Sequence, residues 1–320
     1  MKLSIIIVSW NVKDDLLACL ASLRENPLSQ PFELIVIDND SPDETVELVK
    51  QNYPEVNLIE NPNNRGFAKA NNQGIELATG QYVLLLNPDT IVHPDSLDIL
   101  VNFMDDNPDV GACGPKLLNE DGSAQASVRR FPTFRSVLYS HTVCRLLGLF
   151  RTQYRKWMMK DFKYDRQTDV DQIMGAAMMC RHSIIDQAGG MDENFFMYFE
   201  EIDLCYKIKQ AGWRIVFYPE AVISHLGGQS SKQVPLKRIM LFKSMIAYFR
   251  IHRGKLAVEL FVVVFKFALI LRNICHLVIG LFTFVTAFVM SNKKRQKKAK
   301  EHICLHALLL TKYLWLVITM

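Results

Sequence analysis

The stretch Tyr82-Val83-Leu84-Leu85-Leu86-Asn87-Pro88-Asp89 decides the fold: an apolar run that ends abruptly in a carboxylate. Bounded by Gly80 and Pro88, a run this apolar reads as a strand buried on both faces, as in a parallel sheet between helix layers. Asp89 then stands at the carboxyl end of a central strand, the edge at which open α/β sheets bind ligands. The structural alternative is a helix N-cap. Asp89 and Thr90 precede Pro94 and an apolar periodic segment at Leu97, Leu100, Val101 and Met104.

Upstream, Leu3 to Ser9 reads as a first buried strand. Its apolar run of about six residues is short for a signal-peptide core and leads instead into Asn11 and a helical face at Leu16, Leu20 and Leu23. Glu33 to Asp38 is a second buried strand. Ser41-Pro42-Asp43-Glu44 has the form of a capping box, predicting a helix to about Gln51, and Val56 to Glu60 is a third strand. This alternation is the pattern of a doubly wound sheet, with Asp38 and Asp89 on one rim. The amide-rich Asn61 to Gly74 reads either as a polar loop before a capped helix, or as an anion-binding corner made by Arg65 and a helix N-terminus near Gly66. No GxGxxG follows the first strand and no GxxxxGK[ST] exists, which argues against a nicotinamide-dependent oxidoreductase and removes a P-loop hydrolase.

Downstream, Val110 to Leu118 is a strand followed by a turn at Asn119-Glu120-Asp121-Gly122. Arg129 to Arg166 turns basic and aromatic, consistent with an acceptor-side lid or a membrane-facing surface. Val170 to Cys180 reads as a strand in which Gly175-Ala176-Ala177 lets something approach the backbone closely. Next, Glu200, Glu201 and Asp203 open a helix directly after Phe195-Phe196-Met197-Tyr198-Phe199. Acids in a first helical turn suit the helix dipole. Bulky apolar neighbours, however, strip a carboxylate of solvent, raise its pKa and make it a candidate general base. Gly212 to Tyr218 is a further strand. His225 ends the apolar run from Val222, either as a satisfied core histidine or as a ligand.

Composition narrows the class. The net charge of +4 is smaller than the six positives between Lys293 and Lys300, so the rest of the chain is slightly acidic and offers no footprint for nucleic acid. Seven cysteines without a CxxC argue for a reducing compartment.

Seven stretches in this order resemble the family-2 glycosyltransferases of the GT-A fold, and among them the bacterial rhamnosyltransferase-like enzymes of cell-surface polysaccharide synthesis. They are Ser4 to Asn11, Asp38-Asn39-Asp40-Ser41, Asn64 to Ala68, Asn87-Pro88-Asp89, the Gly175-Ala176-Ala177 strand, Phe196 to Leu204, and His225-Leu226-Gly227-Gly228. The resemblance implies a nucleotide-sugar donor bound by Ser9, Asn11, Asp38, Asn39, Asp40, Arg65, Gly66 and Asn87. It implies a divalent cation, Mg²⁺ or Mn²⁺, held by Asp89 and His225, although Asn87 stands where the first acid of the family's DxD motif often sits. The base would be Glu201, which replaces the family's aspartate, with Asp203 as rival and Glu200 beside it. The implied reaction is inverting transfer of a sugar, a deoxyhexose such as rhamnose, onto a lipid-linked glycan. The alternative is a catalytically silent membrane-bound module that binds a nucleotide sugar or organises an assembly.

Leu256 to Met290 is almost continuously apolar, and as one helix would span about 52 Å against a hydrocarbon core of about 30 Å. A catalytic part using nucleotide sugars and the Lys293 to Lys300 cluster both belong on the cytoplasmic side of an inner (plasma) membrane. One crossing would separate them, so a hairpin or an interfacial helix is required. A third apolar stretch runs from Ile303 to Met320. The expected organisation is therefore a GT-A domain over 1–234, a linker helix over 235–255, and membrane-associated helices over 256–320.

Overall fold

The computed structural model describes residues 1–227 and 237–311. Gly228, the expected domain end at Val234 and the Lys312 end of the last apolar stretch lie outside them. Two compact units result. The first holds Met1–Phe131 and the described part of Asp161–Met245; the second holds Pro132–Lys160 and the described residues from Ile246 on. The basic, aromatic segment thus groups with the C-terminal helices, a division different from the expected boundaries.

The first unit is built on β1 (Leu3–Ser9), α1 (Lys13–Glu25), β2 (Phe32–Asp38), α2 (Thr45–Asn52), β3 (Asn57–Glu60), α3 (Phe67–Leu77) and β4 (Tyr82–Leu86). There follow β5 (Thr90–Val92), α4 (Ser96–Asp106), β6 (Val110–Leu118) and β7 (Val128–Arg129). One nine-stranded sheet has the order β3-β2-β1-β4-β10-β6-β11-β5, where β10 is Ala177–Arg181, β11 is Arg214–His225, and β8 (Thr168–Asp169) pairs with β11. β3, β2, β1 and β4 are mutually parallel, so their carboxyl ends share one rim. Antiparallel β10 separates β4 from β6.

Every residue of β4 is buried. Alternate positions face opposite layers: Ile5, Ile7, Val36, Leu84 and Leu86 join the cluster containing Leu16 and Leu20 of α1 and Leu97 and Leu100 of α4. Ile6 and Ile37 instead meet α3 at Gly74, where a Cβ would come within 2.5 Å of Ile6 Cγ2. The expected doubly wound core is therefore present.

Three local expectations are corrected. Asp89 is no helix cap: β5 intervenes, and α4 starts only after Asp95. Ser41 does not cap α2, because its Oγ accepts the Asn11 N–H at 2.9 Å, while Asp43 Oδ1 accepts the Thr45 N–H at 3.2 Å. The helix starts later as a result. The Val170–Cys180 run is two strands: β9 (Gln172–Ile173) pairs with β7 in a separate ribbon, and β10 enters the main sheet.

In the second unit, α5 (Phe134–His141) and α6 (Arg151–Trp157) accompany α10 (Lys255–Val289) and α11 (Lys293–Thr311); α9 (Lys237–His252) contributes Phe249. Residues 255–289 form one continuous helix, long and apolar enough to cross a membrane by length and composition. Its buried side holds Val258, Phe261 and Phe265, with Phe261 stacked on Phe134 at 4.5 Å between ring centroids. Leu256, Leu260, Val263, Phe267, Ile274, Val278, Phe282 and Val285 are exposed along another side. α11 folds back antiparallel along α10: Gln296 Nε2 reaches Ala287 O at 3.2 Å, and His306 Nδ1 reaches Asn273 Oδ1 at 2.8 Å.

The tight seat of α3 on β1 gives a stability prediction. Gly74→Val should destabilise the chain by about 1–3 kcal/mol, because the extra carbons collide with Ile6 in a packed layer. An unchanged urea midpoint would contradict this packing.

Candidate active site

The rim begins where β1 and β2 end. Register pairs Ser9 with Asp38, so both side chains emerge side by side. Both residues are buried, and neither Ser9 Oγ nor Asp38 Oδ1 has a hydrogen-bond partner among the described residues. The other Asp38 oxygen accepts the Ser41 N–H at 2.9 Å. Burial still pushes the Asp38 carboxyl above its ordinary range, outweighing the Ser41 bonds. Asn11 and Asp40 flank the pair with φ of +53° and +68°, left-handed conformations unusual outside glycine.

Asn39 is a hub rather than an open ligand. Its Oδ1 accepts from Asn61 Nδ2 and the Arg65 N–H, and its Nδ2 donates to Asn64 Oδ1 and Gly66 O. This fixes the loop ahead of α3. The anion corner expected near Gly66 is built differently. The Arg65 N–H goes to Asn39, the Gly66 N–H to Asn64 Oδ1, and the Phe67 N–H to Phe196 O at 2.7 Å. These three donors serve the protein itself, leaving the partly exposed Arg65 guanidinium as the corner's cation. Gly66 is required here: at φ +86°, a Cβ would meet Phe196 O at 2.6 Å.

At the end of β4, Asn87 and Asp89 meet His225, which ends β11 and pairs with Thr90 across the antiparallel β5. Asp89 Oδ1 lies 3.3 Å from His225 Nε2, and Asn87 Nδ2 lies 3.4 Å from the same nitrogen. Both Asp89 and His225 are buried.

Sequence reasoning missed Gln125, which orients this histidine. Its Nε2 donates to Asn119 Oδ1 and to His225 O, each at 3.0 Å, so its Oε1 must face His225 Nδ1, at 2.7 Å. Nδ1 is therefore the donor in that bond, and Nε2 is the ring nitrogen that faces Asp89. No motif marks a glutamine whose role arises only when a turn folds against β11. A carboxylate oxygen and an imidazole nitrogen 3.3 Å apart form a donor pair whose chemistry suits a divalent cation such as Mn²⁺.

The acids of α8 (Glu200–Gln210) occupy another part of the same unit. Asp203 is fully buried and ion-paired with Lys207 Nζ at 2.9 Å. Glu200 is buried, with no hydrogen-bond partner for Oε2 among the described residues; burial first, and the Glu201 charge second, push its pKa well up. Glu201 is partly exposed as a residue, yet its Oε2 is shielded and likewise has no partner among the described residues. Its pKa is raised by burial, an effect opposed by backbone hydrogen bonds and by the positive charge of Arg129, a second residue the sequence reading passed over. Gly175 lies beside this side chain: a Cβ there would make an ordinary contact of 3.4 Å with Glu201 Cβ. The next residue, Ala176, accepts the Asn87 N–H at 2.9 Å, so a single short strap touches both Glu201 and the end of β4.

Tyr198 and Phe199, immediately before Glu200, are both left-handed, with φ of +71° and +73°. Strain of this kind, about 1–3 kcal/mol per residue, persists only where the surroundings over-determine it. Phe196 O accepts the Phe67 N–H, and Met197 O accepts Ser244 Oγ at 2.8 Å, which ties the loop from two sides.

The model of the Glycosyl transferase family 2 matches residues 4–186. The chain belongs to that family. It is a glycosyltransferase, and its fold is GT-A. It is 30% identical over 254 residues to the N-acetylglucosaminyl-diphospho-decaprenol L-rhamnosyltransferase of Mycobacterium tuberculosis, covering 74% of this chain and 80% of that one. It is also 30% identical over 223 residues to the Escherichia coli rhamnosyltransferase WbbL, covering 67% and 80%. The mannosyltransferase PcManGT from Pyrobaculum calidifontis, solved with GDP-Man and Mn²⁺, superposes with a TM-score of 0.54 at 17% identity, covering 96% of this chain and 86% of that one. GalNAc-T7, solved with UDP, GalNAc and Mn²⁺, gives a TM-score of 0.52 at 19% identity over 70% of this glycosyltransferase, which spans 44% of that chain.

Because Glu200 holds its proton more tightly when folded, the native state binds more protons than the unfolded one above the ordinary glutamate range. Stability must then fall as pH climbs from that range toward the raised value. Glu200→Gln removes this term. The variant should be more stable than the parent at neutral pH and near parity in acid, as read from urea unfolding across that range. A parallel offset at every pH would mean Glu200 is not the titrating group.

Proposed function

We propose that this glycosyltransferase moves a sugar with inversion from a nucleotide-diphosphate donor to a lipid-linked glycan, in the synthesis of a cell-surface polysaccharide. The observation that carries the reading is that four buried oxygens at these positions, Ser9 Oγ, Asp38 Oδ1, Glu200 Oε2 and Glu201 Oε2, have no hydrogen-bond partner among the described residues. Buried polar atoms are nearly always satisfied, so orphans on the rim and at the first turn of α8 support a polar ligand there.

Each residue has a role in this reading. Ser9 and Asp38 bind the nucleoside end, within a frame set by Asn11, Asp40 and the Asn39-anchored loop. Arg65 faces the diphosphate. Asp89 and His225 hold a divalent cation, with Asn87 alongside; when bound, such an ion neutralises charge on the departing diphosphate. Glu201 accepts the proton of the acceptor hydroxyl as that oxygen bonds to the anomeric carbon and the bond from that carbon to the diphosphate oxygen breaks. Its raised pKa and shielded Oε2 favour it over Asp203, whose carboxylate is committed to Lys207.

The names of the two rhamnosyltransferase relatives support a deoxyhexose, such as rhamnose from dTDP-rhamnose, and the Mycobacterium relative's name supports a lipid-linked acceptor. The exposed apolar side of α10 supports attachment to the cytoplasmic face of the inner (plasma) membrane. As one unbroken helix longer than the hydrocarbon core is thick, it favours an interfacial placement.

Three variants test the assignment by calorimetry and turnover on the full chain. Asp89→Ala should abolish the Mn²⁺ dependence of binding to whichever of UDP-, dTDP- or GDP-sugars the parent prefers. Gln125→Ala should weaken Mn²⁺ about 10–100-fold by freeing the His225 ring. Glu201→Gln should keep donor affinity but lose about 10²–10⁴ in kcat. Full turnover by Glu201→Gln would sink the base assignment, whereas a donor affinity indifferent to Asp89 would sink the cation site.

A further inference from the structure

In the second unit, α10 and α11 meet at three imidazoles. The ring nitrogens of His276, His302 and His306 lie within 4.8 Å of one another. His276 stacks on His306 at 4.5 Å between centroids, and His302 lies 4.6 Å from His306. Two features of the sequence build this arrangement. His302 and His306 are four residues apart, so they share one face of α11. Gly280 lets the helices close: a Cβ there would come 3.1 Å from His302 Nδ1 and 2.9 Å from Ile303 Cγ1.

The orientation of His306 is set by a partner beside the cluster. Asn273 Nδ2 donates to Leu269 O at 2.9 Å, which fixes its amide so that Oδ1 faces His306 Nδ1 at 2.8 Å. Nδ1 is therefore the donor, and Nε2 is the ring nitrogen left on the side away from Asn273. Asn273 and His306 are both buried. A ring N–H held by a protein oxygen, with the opposite nitrogen left basic, is the arrangement that supports metal-ligating histidines. Filling a helix interface needs no imidazole; leucine or phenylalanine would bury more apolar surface without bringing lone pairs together.

We propose that His276, His302 and His306 bind a divalent transition-metal ion, Zn²⁺ above all, with a non-protein ligand completing the coordination. Three nitrogen donors suit Zn²⁺, Cu²⁺, Ni²⁺ or Co²⁺, whereas Mg²⁺ and Mn²⁺ prefer oxygen. The site is therefore chemically distinct from the Asp89 and His225 pair. Tetrahedral Zn²⁺ with bonds near 2.0–2.1 Å wants nitrogens about 3.3 Å apart, so binding draws the rings together by up to about 1.5 Å from the 4.8 Å limit. The ion joins α10 to α11 near the middle of their contact, far along the chain from the Met290–Asn292 turn, and so acts as a clip on the hairpin.

The test uses the full chain in detergent, free of affinity-tag histidines and stripped with a chelator, then titrated with Zn²⁺ against a chelating indicator under saturating Mg²⁺. One equivalent should bind. His276→Gln and His302→Gln should each weaken it at least about tenfold, and Asn273→Ala about 10–100-fold. Co²⁺ should give the visible absorption of a tetrahedral site in the parent and not in His302→Gln. Equal Zn²⁺ affinity in the parent and the triple His→Gln variant, at equal helix content by circular dichroism, would overturn the proposal. If the triple variant loses helicity, unchanged affinity in His302→Gln overturns it alone.

Discussion

A sheet sealed by helices on both faces cannot carry an unpaired charge along its length, because burying an ion without a partner costs several kcal/mol. β1 and β4 obey this strictly: from Leu3 to Val8 and from Tyr82 to Leu86 the only polar side chains are Ser4 and Tyr82, each hydrogen-bonded, Ser4 to Glu33 and Tyr82 to Asp105. Polar chemistry is thereby displaced to the strand ends. Parallel register converts that displacement into a site, since Ser9 pairs with Asp38 and Ile7 pairs with Leu86, two residues before Ser9 and one before Asn87. The antiparallel pairing of β11 with β5 then brings His225 to Asp89 from a distant part of the chain.

This constraint explains which parts were legible in the sequence. An unbroken apolar run bounded by glycine and proline has few readings, so β1, β2, β4 and β6 and the rim positions of Asp38 and Asp89 could be read directly. Where side chains choose among partners, local pattern failed. Ser41-Pro42-Asp43-Glu44 spells a capping box, but the Asn11 N–H outcompeted the helix for Ser41 Oγ. The Val170–Cys180 run is uniformly strand-like, yet its break at Met174–Ala176 is imposed by the neighbours of Gly175 and Ala176, which lie elsewhere in sequence. Gln125 and Arg129 left no local mark, because the candidate-site residue that each meets lies about 70 or more positions away. The family resemblance singled out His225 without reaching the glutamine whose side chain meets its ring.

The active-site half shows the energetic pattern expected where function opposes stability. Asn11, Asp40, Tyr198 and Phe199 hold left-handed backbones, and Asp38, Glu200 and Glu201 are carboxylates pushed upward by burial. The left-handed residues lie outside the strands and helices, and the three carboxylates stand at a strand's end or a helix's first turn. The strain is confined to loops that the packed sheet holds in place, as with Phe196 O on the Phe67 N–H and Ser244 on Met197 O. A carboxylate shielded from water in this way holds its proton more readily, which is the physical consequence of placing Glu201 after an aromatic run.

The second unit solves a different problem. An apolar helix of 35 residues would bury itself all round if it were a soluble core element, and would be apolar all round if lipid surrounded it. α10 does neither. Val258, Phe261 and Phe265 pack against protein, Asn273 and Gly280 face α11, and only the side bearing Leu256, Val263, Phe267, Val278 and Phe282 is open. A helix with one open apolar side running its full length is matched to a surface rather than to a slab of fixed thickness. α11 fits the same geometry, since its lysines can stay in water while Lys300 lays its stem along Phe284, with Nζ 5.5 Å from the ring centroid. Two helices of such different composition have little hydrophobic reason to stay paired near the basic end, so the small-residue contact at Gly280 and the imidazole cluster beside it become the features that set their register.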